Sequence, residues 1–260
     1  MSAIDRGKRM YQRAVNLLCP RPIVFHHVPK CGGTSVGRAL RLRYLLSQAT
    51  VKPPESAKAF ASAQLGELRP SCDVYDLRRM MLLYLMHDGT RCVAAHVPFS
   101  EAAFAEFADT YAFVTMLREP VYRFLSHYRW DQRQRQPVDS PESLEEFLLH
   151  DRVRRKGATY VRYFCGDPGA ERFTAKHVDA AIHNLRRLHC VGFLDELPRF
   201  NSNLNSLTGS RLKIGKENVD RTKTSDASIL AGPMSAKVLA ACELDRAVWD
   251  AVQDLRQGPG

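Results

Sequence analysis

Residues 111–117 form a near-continuous apolar run that ends at Arg118 and is closed by Pro120. An apolar strand without alternation is typical of the interior of a parallel sheet, where helices cover both faces. Shorter runs of the same character occur at residues 23–28, 91–97 and 189–193. Because helical patterns separate these runs, the sequence predicts an α/β fold with a mainly parallel central sheet flanked by helices.

Two segments carry further expectations about the fold. Residues 51–70 contain three prolines and predict an irregular excursion or lid, whereas residues 235–255 keep apolar side chains at helical spacing and predict one long final helix. The chain shows no internal repeat, low-complexity block or interdomain linker. We therefore expect one domain over residues 1–260, in which residues 1–21 are an N-terminal extension.

The charge balance predicts an anionic partner. The chain of 260 residues has 38 Lys and Arg against 28 Asp and Glu, a formal net charge of +10. A surplus of this size attracts anions but does not choose among nucleic acid, membrane, polysaccharide and a multiply charged small molecule. No run of 18 apolar residues occurs, which excludes a membrane-spanning segment of ordinary length.

The cysteines indicate a compartment. There are seven, an odd number, and no two of them form a C-x-x-C pair, so neither a zinc site nor a dithiol redox motif is predicted. The first twenty residues lack an apolar stretch of signal-peptide length. We expect a cytoplasmic protein with reduced thiols.

Residues 29–35 read Pro-Lys-Cys-Gly-Gly-Thr-Ser and have what binding of an oxyanion requires. Glycines allow close backbone approach, the start of a helix presents N–H groups, and a lysine adds full charge. The order differs from a Walker A loop, in which the lysine follows the glycines. Turns and helix caps use the same small residues, so the glycine loop alone is weak evidence. The anion-binding candidates are Lys30, Cys31, Gly32, Gly33, Thr34 and Ser35.

A second cationic segment follows the apolar run at residues 111–117. Arg118 would lie at the end of a buried strand, an unusual place for a guanidinium unless it meets an anion. Ser126 lies eight residues further, about two turns along a helix that Pro120 opens. One phosphate could contact both side chains; alternatively, Arg118 caps a helix or pairs with a nearby glutamate.

Together the two segments resemble the PAPS-dependent sulfotransferases, in particular the branch with carbohydrate 2-O-sulfotransferases and bacterial relatives. Residues 25–35 resemble the 5′-phosphosulfate loop of that family, and residues 115–128 resemble its 3′-phosphate motif. Weaker similarity extends the match to about residues 22–255. Cys31 stands where the family often has threonine.

The resemblance implies an enzyme that moves a sulfuryl group from PAPS to an acceptor hydroxyl on a carbohydrate or glycan-like molecule and releases PAP. It implies that residues 30–35 hold the 5′-phosphosulfate and that Arg118 and Ser126 hold the 3′-phosphate. In related enzymes a late loop closes over the nucleotide, and Arg221 and Lys223 are its candidates here. Such enzymes generally need no metal, and no cluster of metal ligands is evident in the sequence.

The predicted general base is His96, which ends the second long apolar run and matches a strand-end histidine of the family. An imidazole titrates near neutral pH, which suits abstraction of a hydroxyl proton. His27 is the second candidate, with a structural role the better interpretation. Two other functions stay open at this point: a P-loop kinase or NTPase, and a non-catalytic module that binds polyanions.

Two further features have competing interpretations. Cys31 could have a lowered pKa beside Lys30 at a helix N-terminus, or could be a small filler of the loop. Basic residues at positions 129, 133, 135 and 152–156 could hold an anionic acceptor or could form a solvated helix face.

Overall fold

The computed structural model describes residues 21–65, 72–134, 142–215 and 223–257, together with the single positions Gly7 and Met10. Within these ranges five strands form one sheet in the order β2-β3-β1-β4-β5, and every pair is parallel. The strands are β1 Ile23–His26, β2 Gln48–Ala49, β3 Cys92–Ala95, β4 Ala112–Leu117 and β5 Cys190–Phe193. The predicted α/β class with a mainly parallel sheet is confirmed.

Thirteen α-helices lie in the described ranges, and two 3₁₀ turns, Leu194–Glu196 and Gln253–Gln257, accompany them. The helices are α1 Gly33–Arg43, α2 Pro53–Leu65, α3 Val74–His87, α4 Glu101–Phe107, α5 Pro120–Gln134, α6 Leu144–Leu149, α7 Arg152–Gly157, α8 Thr159–Phe164, α9 Ala175–Arg187, α10 Leu197–Thr208, α11 Lys223–Ala231, α12 Ser235–Ala241 and α13 Glu243–Ala251.

Apolar side chains cover both faces of the sheet, which explains the uninterrupted apolar runs. All residues of β1, β3 and β4 are buried. Val24, Val93 and Phe113 belong to the core on one face, whereas Phe25, Ala94 and Val114 belong to the core on the other. Alternate side chains of each strand therefore enter different cores, as expected for a buried parallel sheet.

Residues 51–65 differ from the sequence expectation, and residues 66–70 of the predicted excursion lie outside the described residues. Residues 53–65 form α2 instead of an irregular excursion. Pro53 begins this helix, where a proline removes no needed N–H group. The Ser56 hydroxyl donates to the carbonyl of Pro53 (3.0 Å) and accepts from Nε of Arg78 on α3 (2.8 Å), so tertiary contacts anchor the helix start.

The expected single final helix is broken at Cys242 into α12 and α13. The two parts bury side chains in different places: Val238 and Cys242 pack in a cluster with α5 and α6, whereas Val248 and Trp249 pack in the core beside the sheet. The turn at Cys242, with φ −103° and ψ 5°, lets both apolar faces be buried. Among the described helices none is long and apolar enough to cross a membrane.

Candidate anion-binding and transfer site

The loops that follow β1 and β4 meet at the carboxyl edge of the sheet. Chain connections diverge here, since β3 lies on one side of β1 and β4 on the other, and ligands of open α/β sheets bind at such a switch point. Arg118 follows β4 directly, and its Nη1 donates to the carbonyl of Lys30 at 3.5 Å. No pairing of Arg118 with a glutamate is seen in the described residues; Glu101 instead binds Arg187.

The backbone of the first loop is strained at its lysine. Lys30 has φ 67°, the only positive φ among the non-glycine residues of the described ranges. A side chain in this left-handed region costs about 1–2 kcal/mol, and such strain concentrates at functional sites. The Lys30 ammonium lies 5.8 Å from the ring centroid of Trp130 on α5. The strained lysine is therefore held against the helix that follows Arg118.

The two glycines of the loop are required by close packing. Gly32 also has a positive φ, 76°, and a Cβ there would lie 2.5 Å from Cδ1 of Leu194. A Cβ on Gly33 would lie 2.0 Å from Cδ2 of His27. Gly32 is the N-cap residue of α1 and has no side chain that could bind the first N–H groups of the helix. The side chain of Thr34, in the first turn, is exposed. The first N–H groups of α1 and the Thr34 hydroxyl are suitable donors to an anion.

Cys31 points into the core, and its thiol is not activated. Burial raises the pKa of the Cys31 thiol to about 11, against the opposing effects of Arg123, Tyr160 and Arg118. Its Sγ lies 3.6 Å from the hydroxyl of Tyr160. The structure favours the interpretation of Cys31 as a small loop filler, because its thiol is buried in the core.

Tyr160 connects the two cationic segments. Its hydroxyl accepts from the backbone N–H of Arg118 at 2.9 Å and donates to the carbonyl of the same residue. Its own backbone N–H donates to Oδ1 of Asp245 at 2.7 Å. Asp245 in turn lies 3.3 Å from Nη2 of Arg123, and both side chains are completely buried.

The other residues predicted to bind the nucleotide are Ser35, Ser126, Arg221 and Lys223. Ser35 and Ser126 are buried, in the first turn of α1 and the second turn of α5 respectively. Arg221 lies outside the described residues. Lys223 begins α11, but its side chain also lies outside them.

The two candidate bases are brought into contact by the sheet. The parallel strands β1 and β3 pair His26 with Ala95. The residues that follow these two strands, His27 and His96, therefore lie side by side. Their rings stack with centroids 4.0 Å apart at 27°. Nδ1 of His96 is buried and has no hydrogen-bond partner within the described part of the chain.

Both imidazoles are neutral at physiological pH. Burial lowers the pKa of His96 to about 4, and the guanidinium of Arg78 acts in the same direction, while the backbone of His27 opposes them. Burial also lowers the pKa of His27 to about 3, with His96 and Arg41 adding to the effect. His96 is therefore in the deprotonated form that a general base needs, but with a pKa of about 4 it is a weaker base than the near-neutral imidazole that the sequence predicts.

A cavity of about 300 Å³ opens beside the stacked histidines. It lies between the start of α1 and the start of α2, and Ala94 of β3 contributes to its floor. The side chains that line it with polar atoms are His27, Thr34, Arg41, Thr50, Lys52, Glu55 and His96. Lys30 and Arg118 do not line it.

Three basic residues of the later segments form ion pairs. Arg129 binds Asp226, Arg152 binds Glu142 at 2.7 Å, and Lys156 binds Asp131. These three charges are therefore parts of the helical scaffold, and both interpretations stay predictions for the exposed Arg133, Arg154 and Arg155. Arg135 lies outside the described residues.

Sequence reasoning missed two side chains of this site. No sequence motif includes Tyr160, and Arg41 follows the glycine loop in a basic stretch for which the sequence predicts no role. The single sequence signal for Arg41 is its spacing: it lies eight residues after Gly33, on the same face of α1.

No family model matches the chain, and no curated protein matches it. Among solved structures the chain is similar to a sulfotransferase from Alicyclobacillus acidocaldarius. The identity is 17%, the TM-score is 0.38, and the match covers 88% of this chain and 99% of that one. A likeness this distant carries no argument about activity, so function has to be inferred from the site. In the described ranges no three metal-ligating side chains lie together.

Proposed function

We propose that the chain is a PAPS-dependent sulfotransferase, an enzyme that moves a sulfuryl group from PAPS to an acceptor hydroxyl. The observation that carries this proposal is the contact between the two cationic segments, in which Nη1 of Arg118 reaches the Lys30 carbonyl. One ligand with two anionic groups could contact both segments. PAPS carries a phosphosulfate and a separate 3′-phosphate, and these are the two groups that the resemblance assigns to the loop after β1 and to the segment after β4.

The donor set fits such a ligand. In the proposal, residues 30–35 hold the 5′-phosphosulfate, through the Lys30 ammonium, the uncapped start of α1 and the Thr34 hydroxyl. Arg118 and Ser126 hold the 3′-phosphate, and Arg221 and Lys223 belong to the segment that closes over the nucleotide. Cys31, Gly32 and Gly33 contribute backbone, because the thiol is buried and the glycines are pressed against neighbouring side chains.

The chemistry is an in-line displacement at sulfur. The acceptor oxygen forms a bond to sulfur, the bond from sulfur to the 5′-phosphate oxygen breaks, and PAP leaves. His96 accepts the proton of the acceptor hydroxyl, because it is neutral at pH 7 and lines the cavity beside the α1 start. Lys30 stabilises the charge that develops on the leaving oxygen.

The acceptor in this proposal is a carbohydrate or glycan-like molecule, and the enzyme works in the cytoplasm as one domain over residues 1–260. Six cysteines of the described residues are free thiols, which supports a reducing compartment. No metal is assigned to the reaction.

The test is binding of PAP by calorimetry, followed by transfer from labelled PAPS in the presence of EDTA. We expect micromolar PAP affinity, transfer that survives EDTA, and loss of about 10- to 100-fold in PAP affinity for Arg118→Gln, which removes a charged contact. Arg152→Gln is the matched control, because Arg152 pairs with Glu142 away from the loop.

Absence of PAP binding by the full chain overturns the proposal. Phosphate transfer from ATP that requires Mg²⁺ would identify a kinase or NTPase instead. Binding of heparin that is steeply salt-dependent, with no PAP binding, would identify a module for polyanions.

A further inference from the structure

We propose that the end of α1 docks on the surface of an anionic membrane, through three exposed leucines and the arginines beside them. The leucines are Leu42, Leu45 and Leu46, and they define what we call the α1-end surface. The partner is a bilayer with anionic lipid headgroups, which the protein contacts from one side without crossing it. Docking does not depend on the proposed sulfuryl transfer.

The net charge of the chain is concentrated in one segment. Residues 6–54 contain ten Lys and Arg and no Asp or Glu. The whole chain has 38 Lys and Arg against 28 Asp and Glu, so the residues outside this segment hold 38 less 10, or 28, of the cations against all 28 of the acids. The surplus of +10 therefore belongs to residues 6–54 alone, and a positive field concentrated in this way attracts an anionic partner to one part of the molecule.

The α1-end surface lies within this basic segment. Arg38 is exposed on α1 and lies one helical turn before Leu42, on the same face. The hydroxyl of Tyr44, the C-cap residue of α1, donates to the carbonyl of Arg21 at 2.6 Å. The residues before Arg21, which include four further Lys and Arg, therefore join the fold one tyrosine side chain away from the end of α1.

The three leucines lie on the solvent side of the α1 end. The exposed fractions of Leu42, Leu45 and Leu46 are 61%, 68% and 49%, whereas Leu40 and Tyr44 of the same stretch are fully buried in the core. Exposed leucines beside arginines suit the boundary between lipid headgroups and acyl chains. There the aliphatic side chains enter the apolar layer while the guanidinium groups stay among the headgroups.

The leucines distinguish a membrane from other anionic partners. A polysaccharide or nucleic acid is bound chiefly through cationic side chains and gains little from three aliphatic ones. A second copy of the chain could cover the leucines, but a symmetric contact would bring the same basic segment against itself, and like charges repel. An anionic bilayer matches both the charge and the leucines.

The α1-end surface is separate from the site that we assign to PAPS. Helix α1 begins at the loop after β1, at the carboxyl edge of the sheet, and its eleven residues span about 16 Å. The α1-end surface therefore lies at the opposite end of this helix from the loop. Docking leaves the loop open, and substitutions in the α1-end surface should not change PAP affinity.

Co-sedimentation of the full chain with vesicles tests the docking. Vesicles of phosphatidylcholine mixed with phosphatidylglycerol, which is anionic, are compared with vesicles of phosphatidylcholine alone. We expect the chain to partition onto the anionic vesicles at least about tenfold more strongly, and this preference should weaken as salt is added.

A leucine variant tests the apolar part of the contact. Leu42→Gln combined with Leu45→Gln should lower partition onto the anionic vesicles about tenfold or more, because the aliphatic groups that enter the bilayer are lost. Leu149→Gln is the matched control: Leu149 is 80% exposed, but it ends α6, whose first turn carries Glu145 and Glu146. It should leave vesicle binding unchanged.

An arginine variant tests the charged part. Arg38→Gln should weaken binding to the anionic vesicles about fivefold, the effect of one cation near a charged bilayer. Arg155→Gln removes the same charge from an exposed position on α7 and should have little effect. All substituted side chains are exposed, so thermal denaturation should show that every variant stays folded.

Three results would overturn the inference. The first is equal partition onto anionic and neutral vesicles, or none onto either. The second is unchanged vesicle binding by the leucine variant, with heparin binding as tightly as the vesicles, which would assign the basic segment to polyanions in general. The third is a dimer in analytical ultracentrifugation that the leucine variant abolishes, which would assign the α1-end surface to a second copy. PAP binding is measured separately, so either proposal can fail while the other stands.

Discussion

The hydroxyl of Tyr160 binds both backbone polar groups of Arg118, accepting from the N–H at 2.9 Å and donating to the carbonyl. The same hydroxyl lies 3.6 Å from Sγ of Cys31. Because Arg118 follows β4 and Cys31 belongs to the loop after β1, one buried side chain fixes the distance between the two segments that we assign to PAPS. Whether the two segments can contact two anionic groups of one ligand depends on that distance.

Replacement of Tyr160 by Phe should weaken both PAP binding and the stability of the fold. The ring stays packed, but both backbone groups of Arg118 lose their partner, at a cost of about 1–3 kcal/mol in stability. We expect PAP affinity to fall about three- to tenfold as the segments lose their fixed spacing. Calorimetry with PAP and urea denaturation measure the two effects.

Tyr111→Phe is the matched control for this variant. The Tyr111 hydroxyl also donates to backbone carbonyls, those of Thr90 (3.0 Å) and Met86 (3.3 Å), but it lies at the other end of β4. It should lose similar stability and keep full PAP affinity. Equal PAP affinities for the two variants would show that Tyr160 stabilises the fold without positioning Arg118.

Two substitutions of Lys30 should have the same effect on activity and different effects on stability. A glycine accepts φ 67° without strain, so Lys30→Gly should be more stable than Lys30→Ala by about 1 kcal/mol. Both variants lose the ammonium and the contact with Trp130, so their difference isolates the backbone. Both should lose sulfuryl transfer by about 100-fold or more, the effect of removing one charge-stabilising group. Thermal denaturation and the labelled-PAPS assay test this, and an alanine variant as stable as the glycine variant would argue against strain at Lys30.

Local sequence patterns predicted the part of the site that depends on strand ends. A glycine loop after one buried strand and Arg118 after another must share the carboxyl edge of a parallel sheet, and the structure places them together. The parallel pairing of β1 with β3 brings His96 beside His27 for the same reason.

Contacts over long sequence distances could not be predicted in this way. Tyr160 is 42 residues from Arg118 and 85 from Asp245, and no periodicity records such a contact. The two-residue β2 is too short for a strand pattern, and the break at Cys242 depends on two cores that the linear sequence does not separate. On each side of that break, the structure has the helix that the apolar spacing predicts.

The pH dependence of kcat/KM should show the lowered pKa of His96. A histidine with an ordinary pKa would lose its basic form as the pH falls through 6.5, whereas the buried His96, with a pKa of about 4, stays neutral well below that. Because kcat/KM reports the free enzyme, we expect activity to persist to about pH 5 and to fall only at lower pH. The measurement is kcat/KM between pH 4.5 and 8, with stability checked at each pH. A loss of activity centred at pH 6.5 would contradict the assignment of His96.

Stability should fall as the pH is lowered from 7 toward 4. His26 is fully buried, and desolvation lowers its pKa to about 4, partly opposed by its hydrogen bond to the carbonyl of Val97. The unfolded chain therefore binds a proton near pH 6.5 that the folded chain refuses until about pH 4, which costs roughly 1.4 kcal/mol per pH unit in between. His26→Phe, in a site already packed against Phe99, Phe113 and Phe164, should lower the loss between pH 7 and pH 5 by roughly 2 kcal/mol. Urea denaturation at pH 7 and pH 5 measures this loss of stability. If His26→Phe leaves the pH dependence unchanged, His26 takes up no proton on unfolding, and its pKa is not lowered in the folded chain.

The buried pair of Arg123 and Asp245 should control both the fold and the position of Tyr160. Asp245→Leu leaves the guanidinium without a countercharge and the Tyr160 N–H without its acceptor in a fully buried site, which costs about 3–5 kcal/mol. Changing both residues, with Arg123→Met added, removes the uncompensated charge and should recover much of that loss. Glu145→Gln breaks the exposed pair with Lys237 and is the control, with an expected cost under about 1 kcal/mol. Because Oδ1 of Asp245 also accepts the Tyr160 N–H, we expect PAP affinity to stay reduced in the double variant even where stability returns. Full recovery of PAP binding with stability would show that the pair acts on the fold alone.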